Sequence, residues 1–237
     1  MEAPKYKRVL LKLSGEALAG DMRRGMDFNV VKSVAAAIKE CTELGVQVGI
    51  VVGGGNYWRG VKDGGGKMER TRADQMGMLA TTINALGILE ALEQEGMKAA
   101  VMTGVEMPRI AELFTRAGAV RRLENGEVVI FAGGTGNPFF STDTAAALRA
   151  CEIGADAILL AKNIDGVYDS DPAKNPEAKR FDEITYQEVL SRGLQVMDSA
   201  ATSLSMENQI PLLVFALKDP GNIKRVLCGE KLGTLVH

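Results

Sequence analysis

Short, almost wholly apolar runs that end in glycine constrain this chain more than any other feature. Residues 46–52 (VQVGIVV) run straight into Gly53-Gly54-Gly55-Asn56, and residues 128–131 (VVIF) lead into Gly133, Gly134 and Gly136. A strand with so few polar positions is covered on both faces, the condition of a parallel sheet flanked by helices. Residues 6–13, 98–103, 157–161 and 211–216 read as further strands, and 233–236 as an edge strand. Helical patterns alternate with them. Asp27 caps a helix whose Val31, Val34, Ile38 and Cys41 share one stripe, and a long helix spans about 71–95 with Leu79, Ile83, Leu86 and Ile88 inward. Pro108 opens a short helix to about 117, residues 144–150 form the body of another, and TYQE at 185–188 has capping-box spacing. A helix follows over about 198–208, and Asp219-Pro220 caps the last one.

Strands alternating with helices throughout predict an α/β fold, a predominantly parallel central sheet with helices on both faces, in a single domain over 1–237. Ligands in such sheets bind beyond the carboxyl ends of the strands. Four glycine-bearing segments fall there: Ser14-Gly15, 53–55, 133–136 and 162–166. The third is the most explicit. Its glycines permit backbone angles closed to other residues and leave no Cβ in the way of a bound group. Ser141 or Thr142 can cap the helix that follows, so that the free N–H groups of its first turn face the same space, where an anion fits.

Elimination narrows the chemistry. The single histidine is the last residue, His237, which removes Ser-His-Asp and Cys-His nucleophile systems and paired-histidine zinc sites. Cys41, Cys151 and Cys228 are far apart and sit in helical patterns beside apolar residues, as small core residues do. A net charge of −2 with both signs interspersed suggests neither nucleic acid nor any polyanion as partner. No apolar run is long enough for a membrane span and the first residues lack a signal-peptide core, so a soluble cytoplasmic protein is expected. No Walker A loop is present, since Gly66-Lys67 is followed by Met68, and neither glycine pair completes G-x-G-x-x-G. What remains is glycine loops plus separated cations, Lys12, Arg59 and Lys162, at or just after strand ends. Phosphoryl transfer is mostly alignment and charge neutralisation, which a site without histidine can perform. Lys12, at the end of an apolar strand, needs an anionic partner to offset its burial.

Five motifs carry a resemblance: KLSGE at 12–16, GGGNYWRG at 53–60, ADQMGMLAT at 73–81, GTGNPFFSTDTAA at 134–146 and KNIDGVYDSDP at 162–172. Together, and in this order over nearly the whole chain, they resemble the bacterial uridylate kinases of the amino acid kinase superfamily. The resemblance implies a three-layer αβα sandwich, transfer of the ATP γ-phosphate to UMP with Mg²⁺ bound mainly through the ATP phosphates, a homohexamer, inhibition by UTP and activation by GTP. It implies that Lys12, Leu13, Ser14 and Gly15 cradle the ATP phosphates, with Gly55 and Arg59 on the ATP side and Asn163, Tyr168 and Asp171 around the ATP nucleoside. Gly54 and Asp74 would contact UMP, and Thr135, Gly136, Asn137, Pro138, Phe139, Phe140, Ser141 and Thr142 would hold its phosphate, ribose and base. Lys12 and Lys162 would neutralise the transition state while Asp143 organises them or the metal. Tyr57 stands where relatives carry an aliphatic residue, Asp74 also suits a helix start, and Phe139 and Phe140 also suit a core. A kinase of carbamate or amino-acid carboxylates, and a non-enzyme serving as a nucleotide-responsive regulator or an oxyanion store, are the alternatives on the same fold.

Overall fold

The computed structural model describes residues 3–59, 63–64 and 66–237, so the glycine-rich segment 60–67 lies partly outside the described residues. In chain order its elements are β1 (Arg8–Leu13), α1 (Gly15–Leu18), α2 (Phe28–Glu43), β2 (Gln47–Val52), α3 (Arg70–Gln94), β3 (Ala99–Thr103), β4 (Glu112–Leu113), α4 (Arg116–Glu124) and β5 (Val128–Ala132). There follow α5 (Thr142–Ile153), β6 (Ala157–Lys162), β7 (Glu183–Ile184), α6 (Tyr186–Ser191), α7 (Ser199–Glu207), β8 (Leu212–Ala216), α8 (Asn222–Leu227) and β9 (Thr234–Val236). The strands form one sheet in the order β4-β3-β5-β2-β1-β6-β8-β9-β7, parallel at every pairing except β8 with β9.

Successive side chains of a strand point to opposite faces, and here both faces are dry. Val9, Leu11 and Leu13 of β1 join Val48, Ile50 and Val52 of β2 in a core against α2, α3 and α8. Leu10, with Val51, Val129, Phe131 and Leu160, packs on the other face against α4, α5, α6 and α7. The result is the three-layer αβα arrangement. Position 12 therefore shares the α5 face with Leu10, and position 162 shares it with Ile158 and Leu160. Side-chain caps start six helices: Ser14, Asp27, Thr115, Ser141, Thr185 and Asp198 each accept a bond from a first-turn N–H. At Thr185 the capping box closes with Glu188.

Four expectations change. In α3 the inward positions are Ala80, Thr81, Asn84, Ala85, Ile88, Ala91 and Leu92, whereas Leu79, Ile83 and Leu86 are exposed. Small and hydrogen-bonding residues let this helix approach the sheet ends closely, and the bulkier apolar side chains are left outside. Pro108 opens a turn, not a helix; Glu112–Leu113 pairs with β3 as a short edge strand, and the helix begins only after Thr115. β9 is not an edge strand, because β7 pairs beyond it. Asp219 accepts the Gly221 N–H at 2.9 Å, but the residue preceding α8 is Gly221, without a side-chain cap. The three cysteines are free thiols, Cys41 fully buried and Cys151 and Cys228 half-buried. No described helix is long and apolar enough to cross a membrane.

Candidate active site

β1 lies mid-sheet; the chain leaves it toward β2 on one side and later passes from β5 through α5 to β6 on the other. The carboxyl ends of β5, β2, β1 and β6 thus border a crevice where the connections diverge. Lys12 and Lys162 are the last residues of β1 and β6 on the α5 face, Lys12 level with Leu160 and Lys162 two residues further along. Lys12 Nζ lies 2.7 Å from Asp143 Oδ1, with only 10% and 20% of the two side chains exposed. Asp143 Oδ1 meets no aligned hydrogen-bond donor, so this contact is charge against charge. The buried lysine has the anionic partner that its position demands. Lys162 donates to the carbonyl of Val196. Burial pushes its ammonium below the ordinary lysine range; the Asp143 carboxylate pulls it back up and the Lys12 ammonium presses it further down. Of the two cations only Lys12 is paired with the carboxylate, while Lys162 meets a neutral carbonyl, a deficit of negative charge that a phosphate would fill.

On one side of these charges is a cleft of about 350 Å³ lined by Gly54, Gly55, Trp58, Arg59, Asp74, Gly77, Met78, Thr81, Gly134, Thr135, Asn137, Phe140, Ser141 and Thr142. Its frame is α3. Asn84 Nδ2 donates to the Gly53 carbonyl at 2.7 Å, and Thr81 Oγ1 accepts the Gly133 N–H at 2.8 Å. Asp74 Oδ2 accepts the Phe139 N–H at 2.8 Å, while Trp58 Nε1 donates to the Ala73 carbonyl at 2.9 Å. One helix therefore carries both glycine loops. Behind them Asn56 and Asn84 exchange reciprocal amide bonds of 3.0 and 2.7 Å in a fully buried pair. A Cβ at Gly15 would overlap Asn56 Oδ1 and lie 2.7 Å from the Gly53 carbonyl, so the ends of β1 and β2 touch backbone to backbone. Gly133, Gly134 and Gly136 turn with φ of 71°, 60° and 82°, as their spacing predicts. Ser141, rather than Thr142, caps α5, accepting the N–H groups of Asp143 and Thr144 at 2.9 and 3.3 Å.

On the other side, Lys162, Tyr168, Asp171, Lys174, Arg192 and Val196 are among the residues around an open pocket of about 550 Å³. The sequence-derived site is thus divided between two places with the charges between them. Gly54, Asp74, Thr135, Asn137, Phe140, Ser141 and Thr142 line the first cleft, and Gly55 and Arg59 stand there too, Arg59 paired with Glu16. Gly136 and Pro138 belong to the same loop without lining the cleft, and Phe139 and Phe140 are exposed rather than core. Tyr168 and Asp171 line the second pocket, but Asn163 does not: it is exposed and borders a different hollow with Ala17, Asp27 and Lys218. Leu13 is fully buried and offers only its backbone; Ser14 caps α1.

Trp58, Thr81, Asn84 and Asp198 were not singled out by sequence. Asp198 accepts from Ser141 Oγ and from Thr144 Oγ1 at 2.8 Å, besides capping α7. Burial, the largest single influence, pushes its carboxyl up, but the bonds from Ser141, the Ala201 N–H and Thr144 together carry it below the usual carboxylate range. Only its capping position was visible in sequence; its reach to α5 is tertiary. No cluster of three or more His, Cys, Asp or Glu suited to a metal occurs among the described residues.

The amino acid kinase family model matches residues 7–216. The UMP kinase of Bacillus anthracis superposes with a TM-score of 0.94 at 40% identity, covering 98% of this chain and 96% of that one. The UMP kinase of Ureaplasma parvum gives 0.93 at 37% identity, covering 98% and 99%. The uridylate kinase of Archaeoglobus fulgidus gives 0.76 at 29% identity over the full length of both. This chain belongs to the amino acid kinase family.

Proposed function

We propose that the protein is a UMP kinase, which transfers the γ-phosphate of ATP to UMP, giving UDP and ADP, as one domain over 1–237. The observation that carries the reading is the position of Lys12 and Lys162: same sheet face, neighbouring strand ends, a carboxylate paired with Lys12, and a cleft on either side. UMP occupies the cleft framed by α3 and the loop 133–142. Its phosphate lies toward the first turn of α5, where the helix N-terminus favours an anion. The ATP nucleoside occupies the pocket of Tyr168 and Asp171, with its phosphates against Ser14, Gly15 and Lys12. The two ammonium groups stand where negative charge spreads over the transferred phosphoryl group, and need not move during the reaction. Asp143 holds Lys12 in place and opposes the loss of charge that burial imposes on Lys162.

A divalent cation fits as a companion of the phosphates. With no protein cage of three acidic ligands among the described residues, Mg²⁺ would be bound by phosphate oxygens and at most the Asp143 carboxylate, the usual habit of this ion. Bound so, it neutralises phosphate charge. UTP shares the uridine group and would compete for the same cleft; activation by GTP rests on the family resemblance alone. For a homohexamer, the support is the outward stripe of Met76, Leu79, Ile83 and Leu86 on α3, at 38%, 53%, 48% and 38% exposure, an apolar face suited to a second copy. Cytoplasmic location follows from these substrates.

The test is ADP release with ATP, Mg²⁺ and each of UMP, CMP, dTMP and AMP. Strong preference for UMP is expected, and equal turnover of AMP or no turnover of UMP would overturn the reading.

A further inference from the structure

At the mouth of the first cleft three side chains are locked together without belonging to the phosphate machinery. Phe139 is one of the few residues other than glycine with a left-handed backbone, φ 71°, a conformation unfavourable for an aromatic residue. It is also 62% exposed, so core packing does not hold it there. Its N–H donates to Asp74 Oδ2 at 2.8 Å, and Arg70 Nε donates to the same oxygen at 2.7 Å. The Arg70 guanidinium then lies over the Phe139 ring, 5.2 Å from its centre. Two donors therefore load one oxygen of Asp74. Its other oxygen, Oδ1, accepts no hydrogen bond from the described residues, although the side chain is only 14% exposed and lines the cleft.

We propose that Arg70 is a positioning residue for the acceptor nucleotide: with Phe139 it fixes the Asp74 carboxylate so that Oδ1 stays open to a hydroxyl donor of the bound nucleoside monophosphate. The inference rests on the acceptor reading of this cleft. A free carboxylate at a helix start rotates and offers either oxygen to water. Arg70, one turn before Asp74 on α3, and the Phe139 N–H, from the opposite wall, remove that freedom before the ligand arrives. The strained Phe139 backbone is the consequence of bringing its N–H within reach. Arg70 itself touches no reacting atom, so its loss acts on binding and not on the chemical step.

The closing experiment reads equilibrium UMP binding through the fluorescence of Trp58, the only tryptophan and a wall of the same cleft, alongside steady-state kinetics. Arg70 is half exposed, so Arg70→Gln should fold, as the same urea transition as the parent would verify. The expected result is a UMP dissociation constant about tenfold higher, the loss of one well-oriented polar contact, with kcat within about threefold and KM for ATP unchanged. Phe139→Ala should weaken UMP several-fold. Because both variants open the same clasp, the double variant should lose little more than the worse single one. UMP affinity within twofold of the parent in Arg70→Gln, or losses that multiply in the double variant, overturns the proposal. A parent protein that shows no UMP response at all refutes the acceptor reading itself, and is thereby distinguished from failure of the clasp.

Discussion

Replacing Lys12 by methionine separates the two roles of the Lys12–Asp143 pair. Methionine keeps the length and apolar stem of lysine, so the strand end stays filled and only the charge leaves. Asp143 Oδ1 is then buried with no aligned donor and no cation against it. With the side chains 10% and 20% exposed the pair is poorly screened, and breaking such a pair on one side costs about 3 kcal/mol. Asp143→Asn leaves the Lys12 ammonium buried without its carboxylate, a comparable loss. In the double variant K12M/D143N the orphaned charge is gone, so about 2 kcal/mol should return relative to the sum of the singles. Activity should not return: each single variant should lose roughly 10² to 10³ in kcat, and the double at least as much as either. Urea denaturation monitored at Trp58 gives the stabilities, and coupled ADP release gives kcat. Additive destabilisation, or a kcat of K12M within a few-fold of the parent, would refute the reading of this pair as both a structural counter-ion and an electrostatic catalyst.

Other outcomes follow from the same geometry. Lys162, depressed mainly by burial, should lose its proton below the ordinary lysine value of 10.5; kcat at saturating substrates should fall as alkaline pH titrates it. Stability of the free protein should gain from the same group over that window, because between the depressed native value and 10.5 the unfolded chain binds the extra proton; a parallel fall of both in a comparison with Lys162→Met would contradict this assignment. Asn84→Leu removes the bonds to Gly53 and Asn56 and should cost about 2–3 kcal/mol while raising KM for UMP, measured by denaturation and kinetics; an unchanged KM would show that α3 does not hold the Gly53 loop. Cys41, whose thiol burial pushes up to about 12, should resist iodoacetamide at pH 8 in the native protein and react once urea is added, as mapped by mass spectrometry.

The parallel sheet and the glycine-rich strand ends were legible because burial on both faces leaves an uninterrupted apolar run, and because a turn that needs positive φ, as at Gly136, restricts the residue type. A cap at Ser141 or Thr142 and the box at Thr185 and Glu188 were legible for the same reason, local chemistry, and the structure selects Ser141. The inner face of α3 was not. Counting apolar residues selects Leu79, Ile83 and Leu86 together with Ile88, yet of these only Ile88 is buried, and the contacts to the glycine loops are made by Thr81 and Asn84, polar side chains whose partners lie far off in sequence. Likewise Pro108 marks a turn that could begin a helix, and only the pairing of Glu112 and Leu113 with β3 reveals extended chain there. Of the candidate site, residue types and spacing located the loops; the division into two clefts, and the departure of Asn163 to another hollow, depend on how strands are ordered, which spacing does not encode.

Helix α3 presents Thr81 and Asn84 to the two glycine loops and Leu79, Ile83 and Leu86 to the outside. It is in effect a single rod with the ligand cleft hung from one side and an oily handle on the other. A neighbouring subunit that grips the handle and rolls the rod by a few degrees would shift both walls of the cleft at once, with no need for a relay through the sheet. Assembly and affinity would then be adjusted by the same small rotation, and a mutation on the outer stripe would be felt by a nucleotide it never meets.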